Sequence, residues 1–123
     1  RKGNDITLVA TGMMVQQALQ AATTLSEQGI EVSVINIHTI KPLDEALILE
    51  YAKKSKLVVT CEEHSKFGGL GSAVAETLSK NHPVKMAMVA VNDTFGESGT
   101  PNALIEKYGL TAKDIVKTVL ESI

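Results

Sequence analysis

Four short apolar runs, Ile6 to Ala10, Val32 to Ile37, Leu57 to Cys61 and Val84 to Val91, are separated by segments of helical period. That alternation limits the possible folds more than any other feature. Runs this apolar, bounded by turn signals, read as strands covered on both faces. Between them, Val15, Ala18, Leu19, Ala22 and Leu25 mark one face of a helix that Gly29 closes with a left-handed cap. Asp44 caps a second helix, running to about Lys54, with Leu47, Ile48, Tyr51 and Ala52 inward. Val74, Ala75 and Leu78 face inward from a third. Pro101 to Gly109 is a short helix after the polar loop Asn92 to Gly99. Thr111 caps the last helix with Asp114 in an imperfect capping box, and Ile115, Val116, Val119, Leu120 and Ile123 form its apolar face. Crossovers of this length require parallel, right-handed connections. The expected fold is α/β: a three-layer α/β/α sandwich with a mostly parallel sheet.

A chain of 123 residues fits one domain, spanning 1–123, that buries roughly two-thirds of its unfolded surface. Aromatic residues are 3% and tryptophan is absent, so the core must be built from Val, Ile, Leu, Met and Ala. A net charge of −2 gives no electrostatic reason to expect nucleic acid or an anionic membrane as partner. The single cysteine, Cys61, excludes an internal disulfide framework and reads as a buried thiol in a reducing compartment. No segment is long and apolar enough to span a bilayer, and a cytoplasmic location is expected.

The stretch Leu57 to Ala75 is where chemistry would be sought. There an apolar run meets Glu62, Glu63 and His64, then Gly68, Gly69 and Gly71, then a helix. In an open parallel sheet, ligands and partner surfaces meet the carboxyl ends of the strands. The glycines resemble part of a dinucleotide fingerprint, but Val74 stands where its third glycine would be, and two carboxylates precede the loop. They read instead as devices for a sharp turn and close helix packing. Glu62 and Glu63 are neighbours in an extended segment, point to opposite sides and cannot share a proton. His64, beside a carboxylate, reads as a group that orients the loop or meets another domain. His38, His64 and His82 lie in separate connections and offer no metal-binding pair. No nucleophile motif surrounds Cys61 or Ser98. On its residues alone the chain is an α/β domain without a self-contained active site.

Taken in order, several segments resemble the C-terminal domain of the transketolase family, above all the C-terminal piece of transketolases split into two subunits. They are Asp5 to Gly12, Val34 to Asp44, Glu62-Glu63-His64 with Gly68 to Val74, Asp93 to Gly99, and Lys107 to Thr111. The resemblance implies a parent enzyme that moves a two-carbon ketol unit between sugar phosphates of the pentose phosphate pathway. It would use thiamine diphosphate and a divalent cation, Mg, held by other domains. In this domain the resemblance implies no catalytic, cofactor-binding or metal residue. The implied role is structural: packing on the preceding transketolase domains or subunit and supporting a homo-dimer. Glu62, Glu63, His64, Gly68, Gly69 and Gly71 then form a candidate interface or site-supporting loop. The family domain has a further antiparallel strand before the segment beginning at Asp5, so a fragment of a longer subunit is expected. Deoxyxylulose-phosphate synthase and the beta subunit of 2-oxoacid dehydrogenases share parts of the pattern. His64 and Phe95-Gly96-Glu97-Ser98-Gly99 favour transketolase. A free-standing module binding a small ligand or regulating a partner is the competing class.

Overall fold

A computed structural model describes residues 5–38, 42–65, 69–91 and 110–123, with Glu63, His64, Ser65 and Val91 followed as backbone. The elements are β1 (Ile6–Ala10), α1 (Met14–Glu27), β2 (Val32–Asn36), α2 (Glu45–Ala52), β3 (Leu57–Ser65), α3 (Leu70–Asn81), β4 (Lys85–Val91) and α4 (Ala112–Ser122). The strands form one parallel sheet in the order β2-β1-β3-β4. Ile6 is in register with Val32 on one side and Leu57 on the other.

The layers follow from that order. The step from β1 to β2 moves one way across the sheet, and the step from β2 to β3 moves back over β1. Right-handed crossovers in opposite directions place their helices on opposite faces. One core cluster accordingly joins Leu8, Ala10, Leu57, Val59 and Cys61 to α1 and α4 through Ala18, Ala22, Leu25, Ile115 and Val119. The other joins Val9, Ile35 and Val58 to α2 and α3 through Ile48, Ala52, Leu70, Val74 and Leu78. The expected three-layer sandwich is observed.

Local signals act as their chemistry requires. After α1, Gly29 takes φ +83°, and Ile30 and Gly29 donate backbone hydrogen bonds to Leu25 and Ser26 oxygens, a Schellman ending. Asp44 Oδ1 accepts from the Leu47 N–H at 3.2 Å. The capping box on α4 is complete: Asp114 Oδ2 accepts from the Thr111 N–H at 2.9 Å, and Thr111 Oγ1 accepts from the Asp114 N–H at 3.3 Å. Across the α2–α3 layer, Thr77 Oγ1 donates to Glu45 Oε1 at 2.8 Å.

Some expectations need correction. Helix α2 ends at Ala52 rather than near Lys54, and β3 continues through Glu62, Glu63 and His64 to Ser65. Leu19, Leu120 and Ile123 are exposed, the last by 60%. On α1 the buried positions are Met14 and Leu25 with three alanines, and on α4 they are Ile115 and Val119. These stripes are narrow, and a residue one step round the helix from them is turned about 100° away. The loop Asn92 to Gly99 and the helix from Pro101 to Gly109 lie outside the described residues.

Candidate functional site

The carboxyl end of β3 departs from a regular ladder. Its pairing with β1 ends at Cys61, opposite Ala10. With β4, Cys61 is opposite Val89 and the next registered pair is Ser65 with Val91. Strand β3 thus advances four residues while β4 advances two, leaving two extra residues in β3. The bulge falls on Glu62, Glu63 and His64. Bulges of this kind bend a strand and re-aim its side chains, and they recur beside functional sites.

Glu62 is the centre of the geometry. It is fully buried, at 0% exposure. Its Oε1 accepts a hydrogen bond from the Leu70 N–H at 2.9 Å, and its Oε2 accepts one from the Gly71 N–H at 2.7 Å. Those are the first two N–H groups of α3, which helical bonding leaves without partners. Gly69, at the cap position, has no side chain to serve them, and its backbone is extended at φ −102°. The carboxylate supplies both acceptors and places its negative charge at the positive end of the helix. A buried carboxylate would otherwise be costly. Here two charge-assisted bonds and the helix end offset that cost.

Two further contacts fix this corner. A Cβ built on Gly71 would lie 2.8 Å from Met88 Sδ, so the Met88 side chain of β4 lies against the first turn of α3 and would have to shift for a larger residue there. This is the close helix packing expected of the glycines. Cys61 is buried on the opposite face, in the cluster with α1 and α4. Burial pushes its thiol up to about 12, with the Glu62 charge adding to the effect. A thiol so protonated is not a nucleophile. Thr60, one residue before Cys61, is completely buried, and its Oγ1 has no hydrogen-bond partner among the described residues.

Of the six candidate residues, the structure brings Glu62, Gly69 and Gly71 together at the start of α3. Glu63 and His64 lie in the bulge as backbone, while their side chains and Gly68 fall outside the described residues. His38 is exposed and His82 half-buried, in separate connections. Among the described residues no three His, Cys, Asp or Glu side chains gather as metal ligands would.

The burial of Glu62 and its role as a distant cap are not among the sequence expectations, although two signals for them exist. Val58, Thr60 and Glu62 share a parity, so Glu62 continues the strand face that packs against α3. A helix beginning at a glycine also needs an acceptor from elsewhere.

Comparison with known proteins bears on this architecture directly. The family model described as "Transketolase, C-terminal domain" matches residues 1–115. This chain belongs to the transketolase C-terminal domain family. It is 52% identical over 121 residues to the 6-deoxy-6-sulfo-D-fructose transketolase subunit of Clostridium sp. (strain MSTE9), covering 98% of this chain and 38% of that subunit. It is 45% identical over 120 residues to the 1-deoxy-D-xylulose-5-phosphate synthase of Desulforudis audaxviator, covering 96% of this chain and 19% of the synthase. Among solved structures, a split-gene transketolase described as an "inactive beta4 tetramer" superposes with a TM-score of 0.92 at 51% identity, over 99% of this chain and 40% of that one. The chain thus spans about two-fifths of the length of its split relatives and about one-fifth of the synthase.

Proposed function

We propose that this chain is the C-terminal domain of a longer transketolase subunit. The parent enzyme transfers a two-carbon ketol unit between sugars with thiamine diphosphate and a divalent cation, both bound by other domains. One observation carries the structural role. The glycine-flanked helix start best placed to hold a diphosphate is already occupied by the Glu62 carboxylate. That helix start does not fit the cofactor, and no step of the reaction is assigned to the described residues. The domain packs on the preceding transketolase domains or subunit and supports a homo-dimer, with Glu63, His64 and the glycine turn at its contact edge. The description of the split-gene relative, an inactive tetramer of beta subunits, supports a domain that does not catalyse alone.

The substrate class is a ketose with an anionic group at its far end. The transketolase name points to phosphates, and the Clostridium relative is named for a sulfo-sugar. Among the described residues no helix is long and apolar enough to cross a membrane. The identity with the synthase supports a second reading, in which the same domain completes a deoxyxylulose-phosphate synthase.

The test is complementation. The purified 123 residues should show no ketol transfer from xylulose 5-phosphate to ribose 5-phosphate with thiamine diphosphate and magnesium. Activity should appear when the remaining domains are supplied. Turnover by the chain alone would overturn the structural role, and a complemented enzyme forming only 1-deoxyxylulose 5-phosphate would establish the second reading.

A further inference from the structure

We propose that Glu62 is a positioning residue: its carboxylate ties the first turn of α3 to the bulged end of β3 and thereby sets where the backbone of Glu63 to Ser65 and the start of α3 at Gly69 stand against the rest of the enzyme. The proposal rests on the reading above, that this edge is the contact surface of the domain. It adds that Glu62 itself makes no contact there, because it is fully buried. Three observations carry it.

The first is the loss of register between Cys61 and Ser65. A regular ladder fixes a strand through its backbone, but across the bulge that ladder is interrupted. Pairing holds the bulged segment only at its ends, Cys61 with Val89 and Ser65 with Val91. Glu62 adds a hold inside it, since both of its oxygens are engaged by successive N–H groups of another element, at 2.9 and 2.7 Å. Two bonds from one planar carboxylate restrain orientation as well as distance.

The second is the way α3 is capped. A serine or aspartate at the Gly69 position would satisfy the helix locally, at about the usual capping energy and without burying a charge. Here the acceptor comes instead from eight residues back, on a different element. Among the described residues no cation pairs with it; the ion pair found there is Lys80 with Glu76, on the exposed face of α3. The third is the approach of Gly71 to the Met88 side chain, which places the same helical turn against β4. The turn is tied to β3 by hydrogen bonds and lies against a side chain of the next strand.

The experiment uses the assembled enzyme, this domain together with its remaining domains, and three forms: wild type, Glu62→Gln, and Glu62→Gln with Gly69→Ser. Glutamine keeps the shape but turns a donor toward one of the two N–H groups. Serine at the extended cap position gives α3 a local acceptor without restoring the tie to β3. In Glu62→Gln, amide exchange at residues 70 and 71 should rise about 10- to 100-fold. The concentration at which the assembly dissociates should rise about tenfold or more, with kcat falling at saturating partner. The added serine accepts from the second or third N–H of the helix, so it should recover the melting temperature and the protection of 71 while dissociation and kcat remain impaired.

Recovery of all four by the serine would overturn the proposal, because Glu62 would then be only a cap. So would unchanged assembly in Glu62→Gln. If the single variant does not fold, the double variant is compared with wild type directly. If wild type neither assembles nor turns over a ketose, it is the transketolase reading that fails. Amide exchange at 63 to 65 and at 69 in the isolated domain then decides the tie: it should rise in the double variant, and unchanged exchange would sink the proposal.

Discussion

Replacing Thr60 by valine should stabilise the chain. Thr60 lies in β3 opposite Val9 of β1 and Met88 of β4, at 0% exposure, with its Oγ1 unpartnered among the described residues. A buried hydroxyl that makes no hydrogen bond costs about 1–3 kcal/mol of desolvation. Valine keeps the β-branch, so strand propensity is preserved, and puts a methyl where the hydroxyl stood. The expected gain is about 1–3 kcal/mol, or about 4–12 °C in Tm for a chain of this size. Urea unfolding should move to a higher midpoint at an unchanged slope, since the surface exposed on unfolding is the same. Thr60→Ser separates the causes, because it keeps the hydroxyl, drops the methyl and should lose about 1 kcal/mol. A valine variant less stable than wild type, beside a neutral serine variant, would show that the hydroxyl is satisfied and the reasoning wrong.

Two more outcomes follow from the same corner of the fold. Gly71→Ala makes the flexible Met88 side chain give way, a cost that alanine's helix preference of about 1 kcal/mol offsets, so stability should change by less than about 1 kcal/mol, and chemical denaturation of the double variant with Met88→Ala should show a coupling of about 0.5 kcal/mol or more. For Cys61, the folded thiol at about 12 stands above its ordinary 9.0. Between those values the unfolded chain holds fewer protons than the folded one, so the contribution is present below pH 9 and is lost as pH rises, by up to about 1.4 kcal/mol per pH unit. Guanidinium unfolding at pH 8 and at pH 10.5 should reveal that slope in wild type and not in Cys61→Val.

Much of the frame could be read from residues whose signals are local. Gly29 declares its cap because a positive φ suits no other residue as well, and Asp44 and Thr111 cap the helices they precede. The layers were readable because parallel strands with helical crossovers have few right-handed arrangements. What escaped was set by tertiary contact. Glu62 looks like a surface carboxylate until α3 is known to begin at an uncapped glycine and to dock above it. Leu120 fits an apolar face by period, yet the helix buries only Ile115 and Val119. The two extra residues in β3 depend on where β4 pairs, which no local pattern in β3 records.

The strand order has a consequence for how the chain reaches its folded state. Strand β1 stands between two partners that follow at separations of 26 and 51 residues, Ile6 with Val32 and with Leu57. Closing such loops costs entropy before any contact rewards it, which slows folding relative to a protein of local contacts. Any amino-terminal piece that stops before residue 57 leaves β1 with a bare edge and half of its neighbours missing. During synthesis β1 keeps one adhesive edge open after β2 has paired with the other, and its place in the sheet is committed only when β3 slides in on the side away from β2.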